Sequence, residues 1–217
     1  PHFDLEGDPP GFEAVARVLE EVNERLEGEG VGLTMYPGAE LRLSAALLKP
    51  RELLPDLDCA TLNRRGRHLL IDLSMVDYPL ATEEVFFRLQ LAGYDPVLAH
   101  PERNHYIHSH FETLERLVER GVYLQVNAGS LAGQYGRKVE RTAWRILEAR
   151  LPHLVASDGH APSSRGLDLK RFRSAVAGRL GEEAARLLFE VNPRRVLAGE
   201  PLEGLPAGAA RKRRGRR

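Results

Sequence analysis

The stretch "HLLIDLSMVDYPLATEEVFFRLQLAGYDPVLAH", His68 to His100, decides the fold. Its first part, "HLLIDLSM" (68–75), is apolar on both faces of a strand and is interrupted by Asp72. A helix follows in which Thr82 is placed to cap and Val85, Phe86 and Leu89 face inward. "DPVLAH" (95–100) is a strand again. A strand that is apolar almost throughout must be covered on both faces. A helical crossover returns the chain to the same end of the sheet, so the unit predicts parallel pairing.

The same alternation runs on in both directions. "FETLERLVERG" (111–121) reads as a helix, "VYLQVNAG" as a strand, "RKVERTAWRILEAR" as a helix and "HLVASD" as a strand, with helical segments from about Leu167. Toward the N-terminus, Phe12, Val15, Val18, Leu19, Val22 and Leu26 form one apolar stripe on a helix ending near Gly28 to Gly30, and "VGLTMY" reads as a short strand. Residues 42–66 carry the weakest pattern. The class is α/β, as an open sheet or a barrel.

Composition narrows the functional classes. With 42% hydrophobic residues in 217, the chain can bury one core. One cysteine, Cys59, permits no internal disulfide and fits a reducing cytoplasm. No run of about 18 apolar residues is present, so no membrane insertion is expected, and the start has no signal-peptide pattern. Net charge is zero, but the closing "RKRRGRR" holds six positive charges and leaves the body acidic. With no interleaved aromatic residues, this end reads as a solvated tail (201–217), and nucleic acid is not expected as a partner.

The polar residues cluster at strand ends. Glu40 follows the first strand, Asp72 lies in the last turn of the next, His100 and Asn127 follow the next two, and Asp158 and His160 close "VASDGH". In parallel barrels these ends converge on one face. Asp72, inside "LLIDL", is expected to have a positive partner, since a buried lone carboxylate is costly. Mixed imidazole and carboxylate donors suit Zn, Mn or Fe, and a multi-metal site is the economical explanation. Arg103 and Arg165 are placed to face the same mouth, where a guanidinium holds phosphate through paired hydrogen bonds. His105, His108 and His110 read as solvent-facing loop residues.

These stretches, with "YPGAELR" (36–42), "AHPERN" (99–104), "QVNAGSLAGQYGRK" (125–138) and "LFEVNPRRVLAG" (188–199), resemble the PHP (polymerase and histidinol phosphatase) superfamily. Within it they resemble the bacterial protein-tyrosine phosphatases of capsule and exopolysaccharide operons. The resemblance implies a distorted (β/α)7 barrel over residues 1–200, holding up to three metal ions, with Mn2+ favoured over Fe or Zn. It assigns metal ligands to His2, Glu40, Asp72, His100, Asp158 and His160, and phosphate binding to Arg103 and Arg165. It implies attack by a metal-activated water on phosphotyrosine of a partner tyrosine kinase, with no cysteine nucleophile. The family opens with a His-x-His pair and a metal-binding aspartate on a first strand; none precedes "PHF", so the barrel is expected to lack its first strands here. Asp72 stands where the family usually has glutamate. The alternatives are a small-molecule phosphomonoesterase of histidinol-phosphatase type and a metal-poor, non-catalytic binding protein.

Overall fold

The computed structural model describes residues 2–3, 11–53, 56–160 and 168–206. Six strands run parallel and side by side in chain order: β1 (His2–Phe3), β2 (Glu40–Arg42), β3 (His68–Asp72), β4 (Asp95–Ala99), β5 (Tyr123–Asn127) and β6 (Leu154–Ala156). The α/β expectation holds. The register sets Glu40 opposite Leu70, Ile71 opposite Leu98, Leu98 opposite Leu124 and Asn127 opposite Ala156. The sheet curls enough that His2 on its first strand lies 5.9 Å, ring to ring, from His160 beyond its last.

The helices are α1 (Phe12–Gly28), α2 (Asp56–Ala60), α3 (Thr82–Leu91), α4 (His105–Ser109), α5 (Glu112–Glu119), α6 (Ala128–Leu131), α7 (Arg137–Glu148), α8 (Lys170–Leu180), α9 (Glu182–Arg186) and α10 (Asn192–Ala198). The crossover helices α3, α5 and α7 each turn a buried apolar stripe to the sheet. On α3 this is Val85, Phe86 and Leu89, on α5 Leu114 and Leu117, on α7 Ala143, Ile146 and Leu147, all buried. Together with Leu69, Ile71, Leu98 and Leu124 they form one core. Complete burial of such a side chain contributes about 1.5–3 kcal/mol. Gly93 and Gly121 end α3 and α5 at φ 97° and 83°. Tyr94 and Val122 follow, buried, and their N–H groups return to the carbonyls of Leu89 and Leu117, so each helix stops where the next strand must begin.

Three expectations are corrected. "VGLTMY" is no strand: the strand lies later, at Glu40–Arg42, and Glu40 opens it instead of following it. The backbone of Met35 is held by Asn23 of α1, whose side chain both donates to its carbonyl and accepts from its N–H. Thr82 does not cap α3: Ala81 occupies that position, and the buried Thr82 hydroxyl donates to the carbonyl of Pro79. The folded body also runs past residue 200, since Leu202 and Leu205 are buried and Asn192 bonds the backbone of both His153 and Glu203. Residues 207–217, with the basic end, lie outside the described residues.

Candidate metal centre

Three strands bring one ligand atom each from Glu40, Asp72 and His100 within 4.8 Å of one another. Glu40 opens β2, Asp72 ends β3, and His100 follows β4. The imidazole Nε2 of His100 lies 3.0 Å from Glu40 Oε1, and its Nδ1 lies 3.8 Å from Asp72 Oδ1. Asp72 thus has the His100 imidazole, positive when protonated, as its partner at 3.8 Å. Two carboxylates and an imidazole, largely withdrawn from water, form a donor set that suits a divalent cation of borderline hardness.

The electrostatics follow from that crowding. Burial pushes the Glu40 carboxyl up, but the His100 hydrogen bond and the nearby His100, His2 and His160 outweigh it, and Glu40 ends below the usual carboxylate range. Burial raises Asp72, and the charge of Glu40 raises it further against the pull of His100. Burial disfavours the charged form of His100; the Glu40 hydrogen bond and the charges of Glu102, Asp72 and Glu40 overcome it and raise the imidazole. Two partly buried carboxylates thus share one imidazole, and burial is the largest cost to the charged form of each. That is the condition under which a bound cation adds stability.

Of the remaining predicted residues, His2, His160, Asp158 and Arg103 form a run of contacts that starts at Glu40. His2 Nε2 lies 3.3 Å from Glu40 Oε2. His160 holds its ring by a 2.8 Å hydrogen bond between Nδ1 and the Asp158 carbonyl. Asp158 accepts from Asn127 Nδ2 at 2.9 Å and from Arg103 Nη1 at 3.4 Å. The guanidinium of Arg103 lies 4.5 Å from the centre of the Tyr135 ring. Arg165 lies outside the described residues. His105 and His110 are exposed as expected, but His108 is half-buried and its Nε2 bonds the Glu102 carbonyl. A cavity of about 780 Å³ opens beside the triad, lined by His2, Val15, Met35, Tyr36, Glu40 and His160 among others.

His100 and Asp158 both take left-handed backbone conformations, at φ 31° and 48°. Non-glycine residues adopt this region uncommonly, Asp and His more readily than most. The His100 N–H is held by Gln125, whose Oε1 accepts it at 3.3 Å. Two residues on, Glu102 is completely buried. Its Oε1 accepts from the Asn127 N–H at 3.0 Å and the Ser130 hydroxyl at 2.7 Å. Burial raises the Glu102 carboxyl, although both donors and nearby His100 oppose this. Sequence reasoning missed Gln125 and Glu102. Gln125 carried a signal, since it interrupts the apolar strand "VYLQV" as Asp72 interrupts its own.

The capsular polysaccharide synthesis family CpsB/CapC matches residues 1–198. The tyrosine-protein phosphatase YwqE of Bacillus subtilis is 34% identical over 180 residues, 82% of this chain and 68% of YwqE. CapC of Staphylococcus aureus is 31% identical over 74% of this chain and 61% of its own length, so this chain spans under two thirds of CapC. The tyrosine-protein phosphatase CpsB of Streptococcus pneumoniae is 27% identical over 85% of this chain and 76% of CpsB. A crystal structure from work on YwqE and CpsB, described as metal-dependent tyrosine phosphatases, superposes with a TM-score of 0.81 at 31% identity. It covers 92% of this chain and 79% of that one. By the family match, the YwqE relationship and the shared fold, the chain belongs to the CpsB/CapC family of capsular polysaccharide synthesis.

Proposed function

We propose that this chain is a metal-dependent protein-tyrosine phosphatase that hydrolyses phosphotyrosine on a partner tyrosine kinase and so acts on capsular or exopolysaccharide synthesis. The observation that carries this reading is the meeting of Glu40, Asp72 and His100 at one end of the sheet, with Arg103 and Asp158 beside them. The names of YwqE and CpsB support it. The ligand set proposed is His2, Glu40, Asp72, His100, Asp158 and His160, holding up to three ions, Mn2+ before Fe or Zn. The architecture proposed is the distorted (β/α)7 barrel of the PHP superfamily, and the compartment is the cytoplasm, in keeping with the single cysteine. Among the described residues, no helix is long and apolar enough to cross a membrane.

Bound divalent ions supply polarisation of the phosphoryl oxygens and a water acidified enough to attack near neutral pH. The chain's own groups do the rest. Glu40 and Asp72 provide the negative charge that retains cations, while Gln125 and Asn127 fix the strand ends that carry His100 and Asp158. Arg103 presents a planar fork of donors to two phosphate oxygens and meets the charge that grows on them in the transition state. Arg165 is proposed as its partner. Cys59 lies on α2 and has no part in the reaction.

The test is release of phosphate from a phosphotyrosine peptide and from an alkyl phosphomonoester, each with Mn2+. The expected result is hydrolysis with a higher kcat/KM on the peptide. A higher value on the alkyl ester moves the chain to small-molecule phosphatases; hydrolysis of neither, with metal bound, rejects the reading.

A further inference from the structure

We propose that Met75 and Val76 form the surface that receives the aromatic ring of an aryl phosphate, and thereby select phosphotyrosine over alkyl phosphoesters. The inference rests on the phosphatase reading and names the part of the site that recognises the leaving group. Both residues lie on the loop after β3, three and four positions beyond Asp72. They are apolar yet 48% and 63% exposed. A singly exposed apolar residue is ordinary. Here the backbone beneath the pair gives it a function.

That backbone is fastened to the segment carrying His100 and Arg103. Asn104 Nδ2 donates to the carbonyls of Ser74 at 2.6 Å and Asp77 at 2.9 Å. The Met75 carbonyl accepts from His105 N at 2.7 Å. The Ser74 hydroxyl accepts from the N–H groups of Val76 at 3.3 Å and Asp77 at 3.4 Å. A loop held from both sides loses little backbone freedom when a ligand settles on it, so its apolar contact goes into affinity. The Met75 sulfur lies 3.9 Å from Arg103 Nη2.

Substrate chemistry then places the ring. In an aryl phosphate one ester oxygen joins the ring to phosphorus, so a phosphate held by Arg103 sets the ring against whatever adjoins that guanidinium. Met75 and Tyr135 both adjoin it; Tyr135 is the less exposed and already lies against the guanidinium with its ring, so Met75 is the open side, and a thioether is a favourable neighbour for an aromatic ring. An alkyl ester such as phosphoserine has no ring to cover this surface. The competing seat is the cavity of about 780 Å³, whose lining includes Met35 but neither Arg103 nor Met75.

The chain's two methionines flank these two seats, which makes the choice directly observable. The full chain, labelled with 13C at the methionine methyls and loaded with diamagnetic Zn2+, gives two signals, assigned through Met75→Leu. Phenylphosphonate is expected to shift the Met75 signal and leave Met35 in place, while methylphosphonate shifts neither. In the kinetic arm, Met75→Ser and Val76→Ser lower the ratio of kcat/KM on phosphotyrosine peptide to that on glycerol phosphate roughly ten-fold, mainly through KM. Met75→Leu restores most of it. A shift at Met35 alone seats the ring in the cavity and overturns the proposal. An unchanged ratio in variants with wild-type melting temperature, in a chain that hydrolyses both esters, overturns it while leaving the phosphatase reading intact. If the wild type hydrolyses neither ester with metal bound, both fall together.

Discussion

Glu102 holds its neighbours from a position that no water reaches. It accepts from the Asn127 N–H and the Ser130 hydroxyl, and Asn127 in turn donates to Asp158. Glu102→Ala leaves two buried donors unmatched, each costing about 1–3 kcal/mol. Urea unfolding is expected to show a loss of about 2 kcal/mol or more for the two together, with Glu102→Gln recovering most of it. Arg103 differs, because its expected effect is on rate. Arg103→Ala is expected to lower kcat/KM on a phosphotyrosine peptide roughly a hundred-fold, and Arg103→Lys to recover little, because an ammonium lacks the planar fork; initial rates decide. Asp72 was readable in the sequence because a carboxylate inside "LLIDL" has no structural excuse. Glu102 was not, since "HPER" sets it between other polar residues and only the fold shows which of them turns inward.

At the scale of elements, β3 to β6 and the helices between them were readable because their stripes must meet both faces of the sheet. The β2 region was not. The apolar residues of "VGLTMY" suggest a strand, but the Asn23 side chain, twelve residues away, satisfies the Met35 backbone and takes the place of a ladder. No sequence period reports such a contact. Helix α1 has no fully buried residue, unlike α3, α5 and α7. Local opening should therefore be easier there, and hydrogen exchange is expected to be much faster in α1 than in β3 to β5. Equal protection would contradict this. Gly121 ends α5 at φ 83°, where an added Cβ meets Gln90 Nε2 at 3.1 Å. Gly121→Ala is expected to destabilise by about 1 kcal/mol or more, read from the urea midpoint.

Over the whole molecule, two buried imidazoles away from the triad set the response to acid. Burial pushes His68 and His153 down to about 4. Well above pH 6.5 both rings are neutral, folded or unfolded, and their own effect on stability is absent. As pH falls from 6.5 toward 4, the unfolded chain takes up protons that the folded chain refuses. Stability is lost across that window, on the order of 3 kcal/mol per ring. The urea midpoint is expected to fall steadily from pH 7 to 5, and less steeply in His153→Gln. The arrangement of the whole was readable in one respect: strand-end residues far apart in sequence had to share a face. Which of them touch depends on the stagger and curl of the sheet, which bring Glu40, the first residue of its strand, against His100 beyond the end of another. A phosphatase of the proposed kind needs a catalytic ion at that meeting point. The most direct test strips the full chain with chelator, titrates Mn2+ back, and follows bound metal and phosphate release from a phosphotyrosine peptide in the same sample. Rate rising in step with occupancy, with both lost in Asp72→Asn folded to the wild-type melting temperature, is the expected result; turnover that survives chelation, or full occupancy without turnover, contradicts it.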